Sequence, residues 1–154
     1  MKKFLLFFIM LFSVVLTGCS LDREVNLVRA GSHTFNHGAT YIINSVEELN
    51  DYVSSTYNDF DKSVVQYDST YFENSALVII EVTKSSGSYK LKMSSVKIED
   101  NLMTVKFKSS CPDIVTCDMA YWHIVIECTQ AEVENLTTIA LYENNKNCWV
   151  KDII

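Results

Sequence analysis

The sequence predicts an α+β domain, a mostly antiparallel sheet of about six strands with one or two packed helices. Three observations predict it. A capped helical period runs from about Ser45 to Tyr57, and a nearly continuous apolar run, ALVIIEV, begins at Ala76. Beyond that run apolar residues recur with period two almost to the C-terminus.

Residues 1–18 read as an export signal. Met1-Lys2-Lys3 supplies two positive charges, and thirteen mostly apolar residues follow from Phe4 to Leu16. That run is short for a bilayer span, which takes about 20 apolar residues, but it suits a signal core. Its ending, Leu16-Thr17-Gly18-Cys19, resembles the lipobox of bacterial lipoproteins. The resemblance implies that the Cys19 thiol accepts a diacylglyceryl group, with palmitate-type chains, and that the chain is held on the extracytoplasmic face of the cell membrane. Two acyl chains, at about 0.8 kcal/mol per buried methylene, anchor a protein stably. The expected organisation is a signal peptide at 1–18, a tether at 19–38, and one α+β domain at 39–154.

The tether is assigned because residues 20 to 37 are polar and without period. ATYII at 39–43 reads as a short strand. Ser45 and Glu48 then form a capping box, and Val46, Leu49, Tyr52, Val53 and Tyr57 follow at helical spacing. A second helical turn is expected from Asp68 to Phe72, led by a good capping residue. ALVIIEV, bounded by Asn74-Ser75 and Ser85-Ser86-Gly87, reads as a strand buried on both faces. Tyr89, Leu91 and Met93 alternate with Lys90 and Lys92, and the phase slips at Ser94-Ser95 before Val96 and Ile98, as at a β-bulge. Glu99-Asp100-Asn101 turns the chain into a strand with Met103, Val105 and Phe107 on one face and Thr104, Lys106 and Lys108 on the other. In the long strand MAYWHIVIEC, Ala120, Trp122, Ile124, Ile126 and Cys128 share one face. Met119, Tyr121, His123, Val125 and Glu127 share the other. Ile139 and Leu141 mark a further strand, and the polar turn 144–147 leads to a last one from Cys148.

Charge narrows the function classes. The chain has 13 basic and 19 acidic residues, and the signal takes two of the basic ones. The exported part is therefore strongly acidic, which argues against nucleic acid as a partner. The sum also predicts no basic patch and no electrostatic docking on anionic lipid, leaving the lipid to do the anchoring. With four glycines, Gly18, Gly31, Gly38 and Gly87, a phosphate loop, a dinucleotide fingerprint and a G-x-S-x-G elbow are ruled out. No cofactor is implied.

Cys111, Cys117, Cys128 and Cys148 remain after Cys19 is set aside, an even number in an oxidising compartment. Three connectivities exist for two disulfides. Cys111 with Cys117, around Pro112, and Cys128 with Cys148 is the preferred one, with free buried thiols as the alternative.

The segments FENSALVIIEV, SSGSYKLKMSSVKIEDNLMTVKF and TCDMAYWHIVIE, between Phe72 and Glu127, are similar to the C-terminal domain of the PrcB-type protease-complex lipoproteins. They are more similar still to a set of bacterial lipoproteins without assigned activity. In that pattern a buried strand leads to a glycine-tyrosine segment, here Gly87-Ser88-Tyr89. A hairpin follows, then a strand with an aromatic-His-Ile element, here Trp122-His123-Ile124. Ser85-Ser86-Gly87-Ser88 stands where paired glycines and a proline are usual. The resemblance implies the fold and a non-catalytic, partner-binding role; it carries over no catalytic residue.

Several constellations invite chemistry. His123 could serve as a general base with Asp118 and a cysteine, but Asp118 lies on the opposite face by alternation, and a packed strand histidine is the better reading. Cys111, Cys117 and His123 have a C-x5-C-x5-H spacing unlike zinc pairs. His33 and His37 lie four apart in a glycine-flanked stretch without helical period, so no metal site is assigned. Asn135-Leu136-Thr137 matches a glycosylation sequon and is read as chance. A sheet face bearing Tyr89, Tyr121 and His123 is the candidate binding face.

These readings lead to a membrane-anchored, non-catalytic module that binds an extracytoplasmic protein, with a protease-associated role implied by resemblance. The alternatives are a lipoprotein that binds envelope glycan, peptide or a small ligand, and a small hydrolase using His123.

Overall fold

A computed structural model describes residues 23–30, 38–56 and 66–153. Residues 1–18, expected to be a signal peptide, and Cys19, His33, His37 and Tyr57 lie outside the described residues. The chain is α+β, with eight strands in two four-stranded sheets and three helices. Sheet one has the order β1-β6-β3-β2, with β1 Val25–Ala30, β6 Ala120–Thr129, β3 Ser75–Lys84 and β2 Thr40–Ile43. Sheet two has the order β4-β5-β7-β8, with β4 Lys90–Glu99, β5 Leu102–Ser110, β7 Thr138–Glu143 and β8 Lys146–Asp152. The expected single sheet of about six strands is thus corrected to two packed sheets. One pairing, β5 with β7, is parallel.

Both faces of β3 are buried, and period two divides its residues between two cores. Ala76, Val78, Ile80 and Val82 join Ile124, Ile126, Met103, Val105, Phe107, Ile139 and Leu141 between the sheets. Leu77 and Ile79 point the other way, against Leu49, Tyr52, Phe72 and Val125. There sheet one is covered by α1 (Val46–Thr56) and α2 (Ser69–Phe72). Each fully buried Leu, Ile or Val side chain contributes about 1.5–3 kcal/mol, so this strand holds three layers together. The layers run helices, sheet one, sheet two, and the outer face of sheet two meets solvent.

Local signals fix the ends of the elements. Ser45 Oγ accepts the Glu48 N–H at 3.1 Å, while Glu48 Oε2 accepts the Asn44 N–H at 2.7 Å. Asp68 caps α2 by accepting the Tyr71 N–H at 3.0 Å. The bulge falls between Met93 and Ser95. Asp100-Asn101 and Asn144-Asn145 both have positive φ, between 50° and 64°, the geometry of two-residue hairpin turns that suit Asn and Asp. The second turn is therefore shorter than the four-residue segment expected, and β8 begins at Lys146.

Two elements were not expected. Val25–Ala30, placed in the tether by its polar flanks, pairs antiparallel with β6, Val25 against Ile126 and Ala30 against Tyr121. The folded domain therefore begins before residue 39. Between β6 and β7 lies α3 (Gln130–Glu134), opened by a capping box of Thr129 and Glu132. Arg23 braces it, donating to both Glu132 carboxylate oxygens at 2.9 and 2.5 Å. That fork holds the Glu132 carboxyl down at about 2.

Candidate functional site

His123 sits in the middle of β6, opposite Glu81 of β3 and Val28 of β1. It is fully buried, so it does not belong to an exposed binding face, and that part of the expected face is corrected. Its phase points it at α1, where Tyr52 Oη lies 2.8 Å from His123 Nδ1 and donates to Glu81 Oε1 at 3.0 Å. A hydroxyl has one proton to give, so His123 Nδ1–H donates to Tyr52 Oη and Tyr52 passes its own proton toward Glu81. Burial lowers His123 to about 4 and keeps the imidazole neutral, and burial with Glu81 alongside pushes Tyr52 up. This relay, sealed between α1 and sheet one, fixes the helix to the strands.

Asp118, the partner considered for His123, is engaged at the surface. Its Oδ1 accepts the Gly87 N–H at 3.2 Å, and its Oδ2 lies 3.8 Å from Arg29 Nη2. Thr116 and the Gly87 N–H hold its carboxyl below the usual carboxylate range.

Above the relay, between β2 and α1, lies an open cleft of about 380 Å³ lined by Tyr41, Ile42, Ile43, Glu48, Asp51, Tyr52 and Ser55. The Tyr41 and Tyr52 rings pack at 4.7 Å.

The loops at the far end of sheet one form a second surface. The β5–β6 loop, residues 111–119, docks on the β3–β4 loop, residues 85–89. Thr116 Oγ1 lies 3.1 Å from Ser86 Oγ and 3.2 Å from Ser88 Oγ, and the Thr116 N–H donates to Ser88 Oγ at 3.2 Å. Gly87 lies against the ends of the Asp118 and Arg29 side chains, so a Cβ there would displace both. Held in this way, the loop presents Ile114 at 89% exposure, with Met119 and Val115 also exposed. Apolar side chains grouped in solvent mark interaction surfaces. Tyr121 Oη reaches Met119 Sδ at 3.7 Å, so Tyr121 adjoins this loop.

Tyr89 is placed differently. Its ring lies 5.7 Å from Lys84 Nζ, which also stands over Phe107. Lys84 has the phase of Val82 and Ile80, which face sheet two, whereas Tyr121 has the phase of His123. Tyr89, Tyr121 and His123 therefore do not share one face. The sequence reading missed Ile114 and Val115; the available signal was two apolar residues between Asp113 and Thr116, outside any period.

The cysteines separate in the same way. Cys111 and Cys117 are exposed in the β5–β6 loop, Cys148 is exposed on β8, and Cys128 is buried between the sheets. Burial pushes the Cys128 thiol up to about 12. Cys128 pairs across with Ala76. Cys148 lies in the other sheet, on β8, so the expected Cys128–Cys148 pairing sets a buried thiol against an exposed one. Among the described residues no group of three His, Cys, Asp or Glu side chains is placed to hold a metal ion. Nor, among them, is any helix long and apolar enough to cross a membrane.

Compared with known proteins, the chain matches no family model, no curated protein and no solved structure.

Proposed function

We propose that this chain is a lipid-anchored extracytoplasmic module that binds another protein through the loop pair 85–89 and 111–119. The observation that carries the reading is Ile114, the most exposed large apolar side chain among the described residues, on a loop braced by Thr116 and Asp118. A braced apolar tip loses little conformational freedom on binding. The direction of β1 agrees with it. Val25 lies beside Ile126 and Ala30 beside Tyr121, so the strand runs from the end nearer Cys19 toward the loop pair. The anchor enters at one end of the domain and the loops stand at the other.

The similarity to PrcB-type domains spans β3 through β6 and includes both loops, which favours a protease or protease-associated protein as the partner. A Cys111–Cys117 disulfide would stiffen the tip, and both thiols stand in that loop. The cleft beside Tyr41 and Tyr52 supports a second reading, the binding of an envelope glycan, peptide or small ligand. The hydrolase reading draws no support from His123, whose Nδ1 is bound to Tyr52 in the core.

The test is recovery of the protein from gently solubilised membranes, with Ile114→Asp in parallel. A partner present in stoichiometric amount with the parent chain and lost with Ile114→Asp supports the reading. The same partner retained by Ile114→Asp, or a partner-free monomer, contradicts it.

A further inference from the structure

The exported chain is acidic as a whole, and the sum over its sequence predicts no basic patch. The fold gathers five lysines on one face of sheet two, where the register also leaves Glu99 and Asp152 at the Leu102 end, and corrects that expectation. On the solvent face of sheet two, register sets Lys90, Lys92 and Lys97 of β4 beside Lys106 and Lys108 of β5, all five exposed. Their intervening neighbours Leu91, Met93, Met103, Val105 and Phe107 turn to the core. Lys97 joins the others because the bulge between Met93 and Ser95 resets the phase; an unbroken strand would turn it inward. Among the described residues none of the five takes part in an ion pair. Lys106 Nζ stands 5.6 Å from the Tyr142 ring, and exposed Val150 neighbours Ala140 on the same face. Acidic Glu47, Glu48 and Asp51 belong to α1, on the opposite side of the molecule beyond sheet one.

We propose that this face of sheet two rests on an anionic lipid surface, with Lys90, Lys92, Lys97, Lys106 and Lys108 meeting headgroup phosphates. Lys92 and Lys108 are directly opposed across the hairpin. Like charges so placed repel, so the arrangement works against the fold and is relieved by an external anion. The occupant follows from the rest of the face. Lysines on a sheet face that also carries Tyr142 and Val150 match a headgroup layer, where aromatic and apolar groups accompany basic ones. The tether agrees: Cys19 precedes Arg23 by four residues, a reach of about 14 Å, and β1 runs beside β4, the edge of this sheet. The tether part of this argument rests on the lipid-anchor reading; the charge part does not. Each lysine near an anionic leaflet strengthens partitioning roughly fivefold.

The test uses the full chain, recovered in detergent from producing cells and reconstituted into vesicles. One set is phosphatidylcholine alone, the other contains about one third phosphatidylglycerol. Brief lysine acetylation is read by peptide mass spectrometry. Labelling of the five lysines is expected to fall roughly fivefold in the anionic vesicles only. It should recover in about 1 M salt, where the screening length is about 3 Å. The variant Lys92→Gln/Lys106→Gln/Lys108→Gln changes exposed positions only, and should lose the protection at Lys90 and Lys97. Equal labelling in both vesicles overturns the proposal. So does protection given by soluble polyglutamate and not by anionic vesicles, which would assign the face to an acidic protein. Intact mass reads acylation of Cys19 separately. An unacylated chain that floats with anionic vesicles and keeps its protection removes the anchor while supporting the lipid-facing sheet.

Discussion

Tyr52 on α1 and His123 on β6 meet at 2.8 Å in the core, and the same hydroxyl donates to Glu81 on β3. One phenol thus joins a helix to the two central strands of sheet one. Tyr52→Phe should keep the packing and leave two buried polar groups short of a hydrogen bond, at a cost of about 1–3 kcal/mol. Urea unfolding of the variant against the parent measures it, and an unchanged midpoint would show that the relay contributes nothing to stability.

The same histidine predicts a pH dependence. Its folded value is about 4, lowered by burial from the ordinary histidine value of 6.5. The unfolded state therefore binds the extra proton first. Stability is fully present above pH ~6.5 and falls as pH drops through 6.5 toward 4, by roughly 3 kcal/mol if His123 acts alone. His123→Gln should remove most of the slope in that window. The Arg23–Glu132 pair acts lower, with stability lost only as pH falls from 4.5 toward about 2. Chemical denaturation at a series of pH values separates the two windows.

How far the sequence carried depended on whether a feature was local. The Ser45–Glu48 box, the Asp68 cap, the Ser94-Ser95 slip and the doubly buried β3 were legible because each rests on neighbours in the chain. The split into two sheets was not, since period two shows which residues are inward but not which inner face they share. Val25–Ala30 hid because its one partner strand is β6, about a hundred residues away, with Asn26 and Arg29 breaking its apolar pattern. The Thr129–Glu132 box was masked by the strand run that precedes it. The lysine face was lost when charge was summed along the chain, because the Met93/Ser95 bulge and the hairpin register gather it. His123 was rightly read as packed, yet also offered as a binding residue; alternation gives its face and not the helix that covers it.

A chain shortened to begin at residue 39 should fold poorly. It loses all of β1 and Arg23, uncovering one edge of β6 and freeing Glu132. A chain beginning at residue 20 should remain soluble and unfold cooperatively. Equal stability of the two would restore the tether reading of residues 19–38.

The thiols should separate by reactivity. In the native protein Cys148 should alkylate readily and Cys128 only after denaturation, given its burial and its raised thiol. Peptide mapping of unreduced protein from producing cells should find Cys111 linked to Cys117. A Cys128–Cys148 peptide would contradict that separation of reactivities.

Ile114→Asp should leave stability within about 0.5 kcal/mol of the parent, because the side chain is almost wholly in solvent. An unfolded variant would show instead that the loop tip packs on the domain.

The most direct measurement of the protein-binding claim is photocrosslinking in producing cells, with a photoreactive residue in place of Ile114 and, separately, of Ser54 on α1. The account predicts a discrete protein adduct from position 114 and none from 54. A protein adduct from 54 with none from 114, or adducts from 114 with lipid alone, would contradict it.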